Sequence, residues 1–135
     1  MPPVADTPMV ISTTRVFLVE DSELIRTRLV SMLAGVSGVD VIGHAESAAD
    51  AIASILSARP DVLILDIKLK VGSGIEVLQK MKQRLPAMSV IMLTNYATEE
   101  YRKKCLGAGA EYFLDKTNEF EQLRSIIEQL RRHEP

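Results

Sequence analysis

The sequence has little of several features that would place a protein in a special class. It has one cysteine, Cys105, among 135 residues, which excludes an internal disulfide and a metal site built from several cysteines. No apolar run approaches the roughly 20 residues of a membrane-spanning helix, and the N-terminus lacks the pattern of a signal peptide. The net charge is only −2, without a long run of one sign, so bulk charge indicates no nucleic-acid binding. These absences predict a cytoplasmic protein without membrane insertion.

The composition is that of an ordinary globular domain. The sequence is 47% hydrophobic and 25% charged, and its length suits one domain with a real core. Residues 1–14 carry Pro2, Pro3 and Pro8, which withhold backbone donors, so they predict a flexible N-terminal lead-in. We expect the folded domain to cover residues 15–133.

Short aliphatic runs alternate with helical patterns along this domain. The run Val62-Leu63-Ile64-Leu65 is typical of a strand buried on both faces. Ser22 and Ser47 stand where they could cap helices, and Asn118 is predicted to begin the last helix. The predicted strands cover residues 16–19, 39–43, 62–65, 89–93 and 112–114. Five strands alternating with five helices predict an α/β fold, a doubly wound parallel sheet with helices on both faces.

Polar residues end four of these strands. The first ends in Glu20-Asp21, the third in Asp66, the fourth in Thr94 and the fifth in Asp115-Lys116. Because crossovers are right-handed, the carboxyl ends of parallel strands share one edge of the sheet, where ligands bind. Each residue taken alone has a simpler interpretation: Asp66 as a turn cap, Thr94 as a strand-end hydroxyl and Lys116 as a solvated charge.

Taken together, these side chains indicate one kind of chemistry. Acids that lie close together repel and need a cation, and an all-oxygen donor set favours Mg2+. A carboxylate beside Mg2+ can act as a nucleophile towards a phosphoryl group, giving an aspartyl phosphate. A lysine and a hydroxyl supply a charge and a donor for the phosphoryl oxygens.

The order Glu20-Asp21, Asp66, Thr94, Lys116 resembles the receiver domain of two-component response regulators, from about Arg15 to His133. Gly74 also matches a glycine usual in that family. The resemblance implies a flavodoxin-like five-stranded parallel sheet of order 2-1-3-4-5 with five helices. The chain resembles the stand-alone, chemotaxis-regulator type of receiver. We therefore expect no DNA-binding or enzymatic output domain in this chain.

The resemblance also implies a role for each matched residue. Asp66 would be the phosphoacceptor, supplied by a phosphohistidine on a histidine kinase or phosphotransfer protein. Mg2+ would be held by Asp66, by Asp21, by Glu20 through water and by the backbone carbonyl of Lys68. Thr94 and Lys116 would hold the phosphoryl oxygens. Thr94 and Phe113 would form the switch that changes the partner-binding face. Phe113 could instead be a simple core residue.

Some positions depart from the family pattern. Lys70 stands where proline is common, so we expect a less rigid loop. Asn95 is larger than usual and could narrow access to the phosphoryl site. Thr117 replaces a proline that usually follows a cis peptide bond, and a cis bond costs about 3 kcal/mol before other residues. We therefore expect a trans bond after Lys116, or a strained cis bond. Lys68 and Lys70 are either solvated charges or modifiers of the phosphoryl lifetime.

We expect a signalling module rather than an enzyme. Its output would be a protein contact on the face of the fourth helix, last strand and last helix, with the molecule a monomer or a phosphorylation-linked dimer. A phosphatase acting on outside substrates would normally have a second acid two residues after the nucleophile, but that position is Lys68. A receiver-fold protein-binding domain that does not use phosphorylation is the alternative. The sequence does not identify the kinase, the downstream target or the pathway.

Overall fold

A computed structural model describes residues 13–131 of the chain. In this range five strands alternate with five helices. The strands are β1 (Thr14–Val19), β2 (Val39–Ala45), β3 (Val62–Leu65), β4 (Ser89–Thr94) and β5 (Tyr112–Asp115). The helices are α1 (Glu23–Ala34), α2 (Ala48–Ala58), α3 (Gly74–Arg84), α4 (Glu99–Gly107) and α5 (Gln122–Leu130).

The strands form one parallel sheet in the order β2-β1-β3-β4-β5. This order confirms the predicted doubly wound, flavodoxin-like topology. Strand β3 lies at the centre, paired with β1 and β4, and all four of its residues are buried. Since the sheet changes direction of winding between β1 and β3, the carboxyl ends of these two strands frame the crevice where such sheets bind ligands.

Two hydrophobic cores lie on opposite faces of the sheet. Leu63 and Leu65 of β3 belong to one core, and Val62 and Ile64 belong to the other. This division follows from the alternation of side chains along a strand. The first core includes residues of α2, α3 and α4, and the second includes residues of α1 and α5. Because both faces are covered, the edge at the strand ends is the place left for a site.

The first four helices begin at a serine or threonine whose side chain accepts a backbone N–H. These N-cap residues are Ser22, Ser47, Ser73 and Thr98. The caps predicted at Ser22 and Ser47 are confirmed. Each such bond satisfies one of the backbone donors that a helix leaves free in its first turn.

The predicted start of the last helix at Asn118 is wrong, because α5 begins at Gln122. Local bonds around Asp115 explain the difference. Its carboxylate accepts the Thr117 N–H at 2.8 Å and the Asn118 side-chain amide at 3.4 Å. These bonds make a turn after β5 that competes with helix formation.

Strand β1 begins at Thr14, one position before the predicted start of the folded domain at Arg15. Thr14 is buried, and its N–H donates to the Gly38 carbonyl at 2.7 Å. The rest of the predicted lead-in, residues 1–12, lies outside the described residues, as do 132–135 with the predicted domain end at His133. Among residues 13–131, no helix has the length and apolar character needed to cross a membrane.

Candidate functional site

Three acids lie together at the carboxyl ends of the adjacent strands β1 and β3. Glu20 and Asp21 follow β1, and Asp66 follows β3. The ladder of the sheet continues into both turns, since the Asp66 N–H donates to the Val19 carbonyl at 3.0 Å. Carboxylate oxygens of all three residues lie within 4.8 Å of one another. Glu20 and Asp66 are buried and Asp21 is exposed, so the cluster opens to solvent on one side.

Lys116, directly after β5, joins this cluster. Its Nζ lies 2.7 Å from Glu20 Oε1 and 2.8 Å from Asp66 Oδ2, and the residue is buried. Burial alone would lower the pKa of Lys116, but the hydrogen bonds to Asp66 and Glu20 raise it above its usual value. The ammonium is therefore held charged between the two buried carboxylates.

The remaining oxygens of the two buried acids accept backbone N–H groups. Glu20 Oε2 accepts from Ser22 at 3.0 Å, and Asp66 Oδ1 accepts from Ile67 at 2.7 Å. Burial raises the pKa of Glu20 in spite of its bond to Lys116. Every buried side-chain oxygen and nitrogen in residues 13–131 has a partner, so the geometry of these acids is fixed from several directions.

Thr94 and Phe113 lie on the same face of the sheet, in the neighbouring strands β4 and β5. Thr94 ends β4, is fully buried, and accepts the Tyr96 N–H on its Oγ1 at 3.0 Å. Its carbonyl accepts the Lys116 N–H at 3.0 Å. Since Met92 pairs with Phe113 and side chains alternate along β4, Thr94 shares the face of Phe113.

Comparison with known proteins identifies the family to which this fold and site belong. The family model described as "Response regulator receiver domain" matches residues 16–128 of this chain. The chain belongs to the response regulator receiver domain family.

Curated relatives are longer than this receiver domain. The DNA-binding transcriptional activator DevR/DosR of Mycobacterium tuberculosis is 39% identical over 102 residues, which are 76% of this chain and 47% of that protein. The response regulator protein VraR of Staphylococcus aureus is 28% identical over 122 residues, which are 90% of this chain and 58% of that protein. The chain thus spans about half the length of these relatives.

Solved structures of receiver domains superpose closely on this chain. A CheY-like receiver domain protein from Methanospirillum hungatei is 32% identical, with a TM-score of 0.78 over 88% of this chain and 94% of that one. The response regulator domain of CheB from Thermotoga maritima is 26% identical, with a TM-score of 0.79 over 91% of this chain and 99% of that one. The predicted family and fold are both confirmed.

The donor set of this receiver domain suits Mg2+. Glu20, Asp21 and Asp66 offer only carboxylate oxygens, and no histidine or cysteine within residues 13–131 joins them. Hard oxygen donors carrying several negative charges are what a small divalent cation requires. Lys68, whose carbonyl was predicted to complete the set, lies two positions after Asp66 in the β3–α3 loop.

Lys68 and Lys70 each contact a residue outside the β3–α3 loop. Lys68 Nζ lies 5.2 Å from the centre of the Tyr96 ring, across the opening between the β3–α3 and β4–α4 loops. The Lys70 N–H donates to the Glu46 carbonyl at 3.0 Å, while the lower rigidity expected for this loop stays a prediction. A proline at this position would lack that donor.

Two other positions that depart from the family pattern are exposed. Asn95 and Thr117 lie at the mouth of a cavity that Lys116 also lines. The described residues contain no cis peptide bond, so the predicted trans bond between Lys116 and Thr117 is confirmed.

Phe113 is buried, 3% exposed, and covered by Arg102 of α4. The Arg102 guanidinium carbon lies 5.3 Å from the ring centre, and its Nη2 donates to the Phe113 carbonyl at 3.4 Å. The ring therefore occupies an inward position in this structure and packs in the first core. Its role as a switch stays a prediction.

We call the cluster of Glu20, Asp21 and Asp66 the acid pocket. Sequence reasoning missed Arg26, which bonds to the backbone of this pocket, and its partner Glu46. Arg26 Nη1 donates to the Glu20 carbonyl at 2.8 Å and pairs with Glu46 at 3.1 Å. The signal for Arg26 was weak: it lies one helical turn after the cap Ser22, a place from which an arginine can reach back to the strand end. Glu46 had no local signal.

Proposed function

We propose that this receiver domain accepts a phosphoryl group on Asp66 from a phosphohistidine on a histidine kinase or phosphotransfer protein, with Mg2+. One observation carries the proposal. The Asp66 carboxylate is buried at the end of the central strand, 2.8 Å from Lys116 Nζ and grouped with two other acids. Membership of the family supports the same chemistry.

In this proposal a carboxylate oxygen of Asp66 attacks phosphorus and forms an acyl phosphate, while the donor imidazole leaves with the bonding electron pair. The Ile67 N–H and the Lys116 ammonium orient the carboxylate before the reaction. Lys116 and Thr94 then hold the phosphoryl oxygens. These groups supply a fixed charge and a hydroxyl donor at the place where negative charge develops.

The cation would be held by Asp21 and Asp66 directly, by Glu20 through water and by the Lys68 carbonyl. When bound, Mg2+ would neutralise charge on the transferring oxygens. Glu20 is the residue whose position supports an indirect role, since one of its oxygens is already bonded to Lys116 and the other to the Ser22 N–H.

The output we propose is a change in a protein-binding face, driven by Thr94 and Phe113. Thr94 moving towards the phosphoryl group would give up its bond from the Tyr96 N–H and so change the start of the β4–α4 loop. The face formed by α4, β5 and α5 carries the exposed charges Glu99, Lys103, Lys104 and Arg124, which suit a switchable partner.

We further propose that the domain is a signalling module and not an enzyme acting on outside substrates. Lys68 takes the position where a phosphatase of similar chemistry would place a second acid. DevR/DosR is named as a DNA-binding activator, but this chain spans 47% of it. The output we propose for the described domain itself is a protein contact, with the domain a monomer or a phosphorylation-linked dimer.

The deciding experiment is labelling with acetyl phosphate, with and without Mg2+, in the wild type, Asp66→Asn and the control Asp40→Asn. Asp40 is an exposed aspartate in β2, far from the acid pocket along the chain. We expect Mg2+-dependent incorporation in the wild type and in Asp40→Asn, and none in Asp66→Asn. Absence of labelling and of beryllium fluoride binding in the wild type would instead favour a receiver-fold protein-binding domain.

A further inference from the structure

A chain of charged contacts lies behind the acid pocket and links three segments of the protein. Glu46, in the β2–α2 turn, is at its centre. Its Oε2 lies 3.1 Å from Arg26 Nη1 of α1, and its Oε1 lies 3.7 Å from Lys70 Nζ of the β3–α3 loop. We call Arg26, Glu46 and Lys70 the loop bridge. None of the three carries a role in the proposed phosphoryl chemistry.

At one end the loop bridge holds the main chain of Glu20. Arg26 Nη1 donates to the Glu20 carbonyl at 2.8 Å, and the Glu20 N–H donates to the carbonyl of Ala45 at 3.1 Å. Ala45 is the residue directly before Glu46. Both backbone groups of Glu20 are thus bonded to the loop bridge or to its neighbour, which sets where the Glu20-Asp21 pair can lie.

At the other end the loop bridge holds the segment that follows Asp66. The Lys70 N–H donates to the Glu46 carbonyl at 3.0 Å, and the Ala48 N–H donates to the Val71 carbonyl at 2.9 Å. These two bonds flank an isolated parallel bridge between Ser47 of the β2–α2 turn and Val71 of the β3–α3 loop. The loop that carries Lys68 is therefore fixed relative to the same turn that fixes Glu20.

Burial decides which contact of the loop bridge has the larger effect. The Arg26 side chain is 13% exposed, whereas the Lys70 side chain is 71% exposed. Exposed ion pairs contribute little, because water and salt screen them and long side chains lose entropy. The Arg26–Glu46 pair is better shielded, and Arg26 also makes the bond to the Glu20 carbonyl. The positioning effect should therefore reside mainly in Arg26.

We propose that Arg26 and Glu46 are positioning residues that set the separation of the β1–α1 and β3–α3 loops and so the affinity of the acid pocket for a divalent cation. The proposal rests on the proposed function, because it assigns a cation to Glu20, Asp21 and Asp66. Residues that orient metal ligands from behind affect metal affinity without touching the ion.

Because Arg26 is positively charged, its positioning effect on cation binding can be distinguished from the electrostatic effect of its charge. Replacing Arg26 by glutamine removes a positive charge near three acids, which by Coulomb's law alone should strengthen the binding of a cation. Loss of positioning should weaken it. Glu46→Asp is a second variant that keeps the charge and shortens the side chain, so a field effect predicts no change while positioning predicts weaker binding.

The test is Mg2+ titration by calorimetry of the wild type, Arg26→Gln, Glu46→Asp and the control Lys82→Gln. The Lys82 side chain is 14% exposed, pairs with Glu111 at 2.8 Å and donates to the Met88 carbonyl at 2.8 Å. Its variant therefore removes the same charge, a pair of similar burial and a carbonyl contact, but at the amino ends of β4 and β5. We expect the dissociation constant to rise about tenfold in Arg26→Gln, the lower end of the loss typical for such residues. Glu46→Asp should show a smaller rise, and Lys82→Gln none.

A second readout uses the metal-free protein. Amide hydrogen exchange at Lys70 should become faster in Arg26→Gln and Glu46→Asp than in Lys82→Gln, because the loop loses its link to α1. Unchanged or tighter Mg2+ binding in Arg26→Gln, with wild-type binding and Asp66 labelling intact, would overturn this inference alone. Lack of Mg2+ binding and labelling in the wild type would overturn the proposed function and this inference with it.

Discussion

The backbone behind Asp66 is packed so closely that one position accepts only glycine. Gly74, the first residue of α3, donates its N–H to the Ile67 carbonyl at 2.7 Å. A Cβ added at this position would overlap the carbonyl oxygen of Asp66 and approach Ile67 Cα to 3.1 Å. These neighbours are backbone atoms, which cannot move aside as a flexible side chain can. The glycine therefore lets α3 begin directly against the strand end that carries Asp66.

We expect Gly74→Ala to lower the free energy of unfolding by about 3 kcal/mol, the upper part of the range for overpacking. Labelling of Asp66 should fall as well, because the strand end has to shift. Urea unfolding measures the first effect and acetyl phosphate labelling the second. Gly107→Ala is the matched control: Gly107 ends α4 with no neighbour near its would-be Cβ, and alanine in a helix gains about 0.5–1 kcal/mol. Equal stability of the two variants would contradict the steric argument.

Cys105, the buried residue of α4, couples stability to pH. Burial raises the pKa of its thiol above the usual value of 9.0. The folded protein thus keeps the thiol proton to a higher pH than the unfolded chain does. Above about pH 9 the folded state binds more protons than the unfolded state, so this contribution to the free energy of unfolding falls as pH rises.

The stability of the wild type relative to Cys105→Ala should therefore shrink in the window above about pH 9, since alanine has no proton to lose. Urea unfolding at several pH values measures the difference. Parallel curves for the two proteins over this window would rule out a raised thiol pKa. Below it, the difference should stay constant and reflect only the lost packing of the side chain.

At the level of helices, α4 is held to the molecule by the fewest buried side chains. It contributes one buried residue, Cys105, whereas α3 contributes five: Gly74, Ile75, Val77, Leu78 and Met81. Helix stability in proteins comes mostly from packing of one face. The helix that borders the proposed output face is thus also the one that can move or unfold at the lowest cost.

We expect the backbone amides of α4 to exchange with solvent faster than those of α3 in native-state hydrogen exchange. Thr98→Ala, which removes the side chain that caps α4 by accepting the Tyr101 N–H at 3.1 Å, should increase the difference further. The α3 amides serve as the internal reference. Equal protection of the two helices would show that contacts other than buried side chains hold α4.

The elements differed in how well the sequence predicted them, for physical reasons. The caps Ser22 and Ser47 depend on bonds within one helical turn, so local sequence was enough. The start of α5 depends on side-chain hydrogen bonds around Asp115, which leave no periodic pattern in the sequence. Asn118 therefore resembled the N-cap of the last helix. The Arg26–Glu46 pair joins residues from separate elements that only folding brings together, so no motif could reveal it.

At the level of the whole molecule, the parallel topology made the site predictable. Once strands β1, β3, β4 and β5 are parallel, the residues after them meet at one edge whatever fills the two cores. Glu20, Asp66 and Lys116 are indeed within hydrogen-bond reach. The details of that edge, such as the Lys68–Tyr96 contact and the anchoring of Lys70, depend on loop geometry that strand patterns do not encode.

The same edge should link cation binding to the stability of the whole fold. A ligand that binds only the folded state stabilises it, by about 2.7 kcal/mol at a concentration one hundred times its dissociation constant. We expect Mg2+ to raise the melting temperature of the wild type and chelation to reverse the rise. Asp21→Asn should lose this response while keeping nearly wild-type stability without metal, because Asp21 is exposed. A full Mg2+ response in Asp21→Asn would exclude Asp21 as a ligand.

The ammonium of Lys116 between two buried acids has a consequence for how cation binding and phosphorylation of Asp66 affect each other. Three carboxyl groups share this edge with one ammonium, so the acids outnumber the base by two, an excess that a divalent cation would balance. A phosphoryl group on Asp66 would add further negative charge. Cation and phosphoryl group must then favour each other, and thermodynamic reciprocity makes the gain equal in both directions. The phosphorylated domain should retain its metal more tightly than the unphosphorylated one, by the same factor with which the metal stabilises the phosphorylated state.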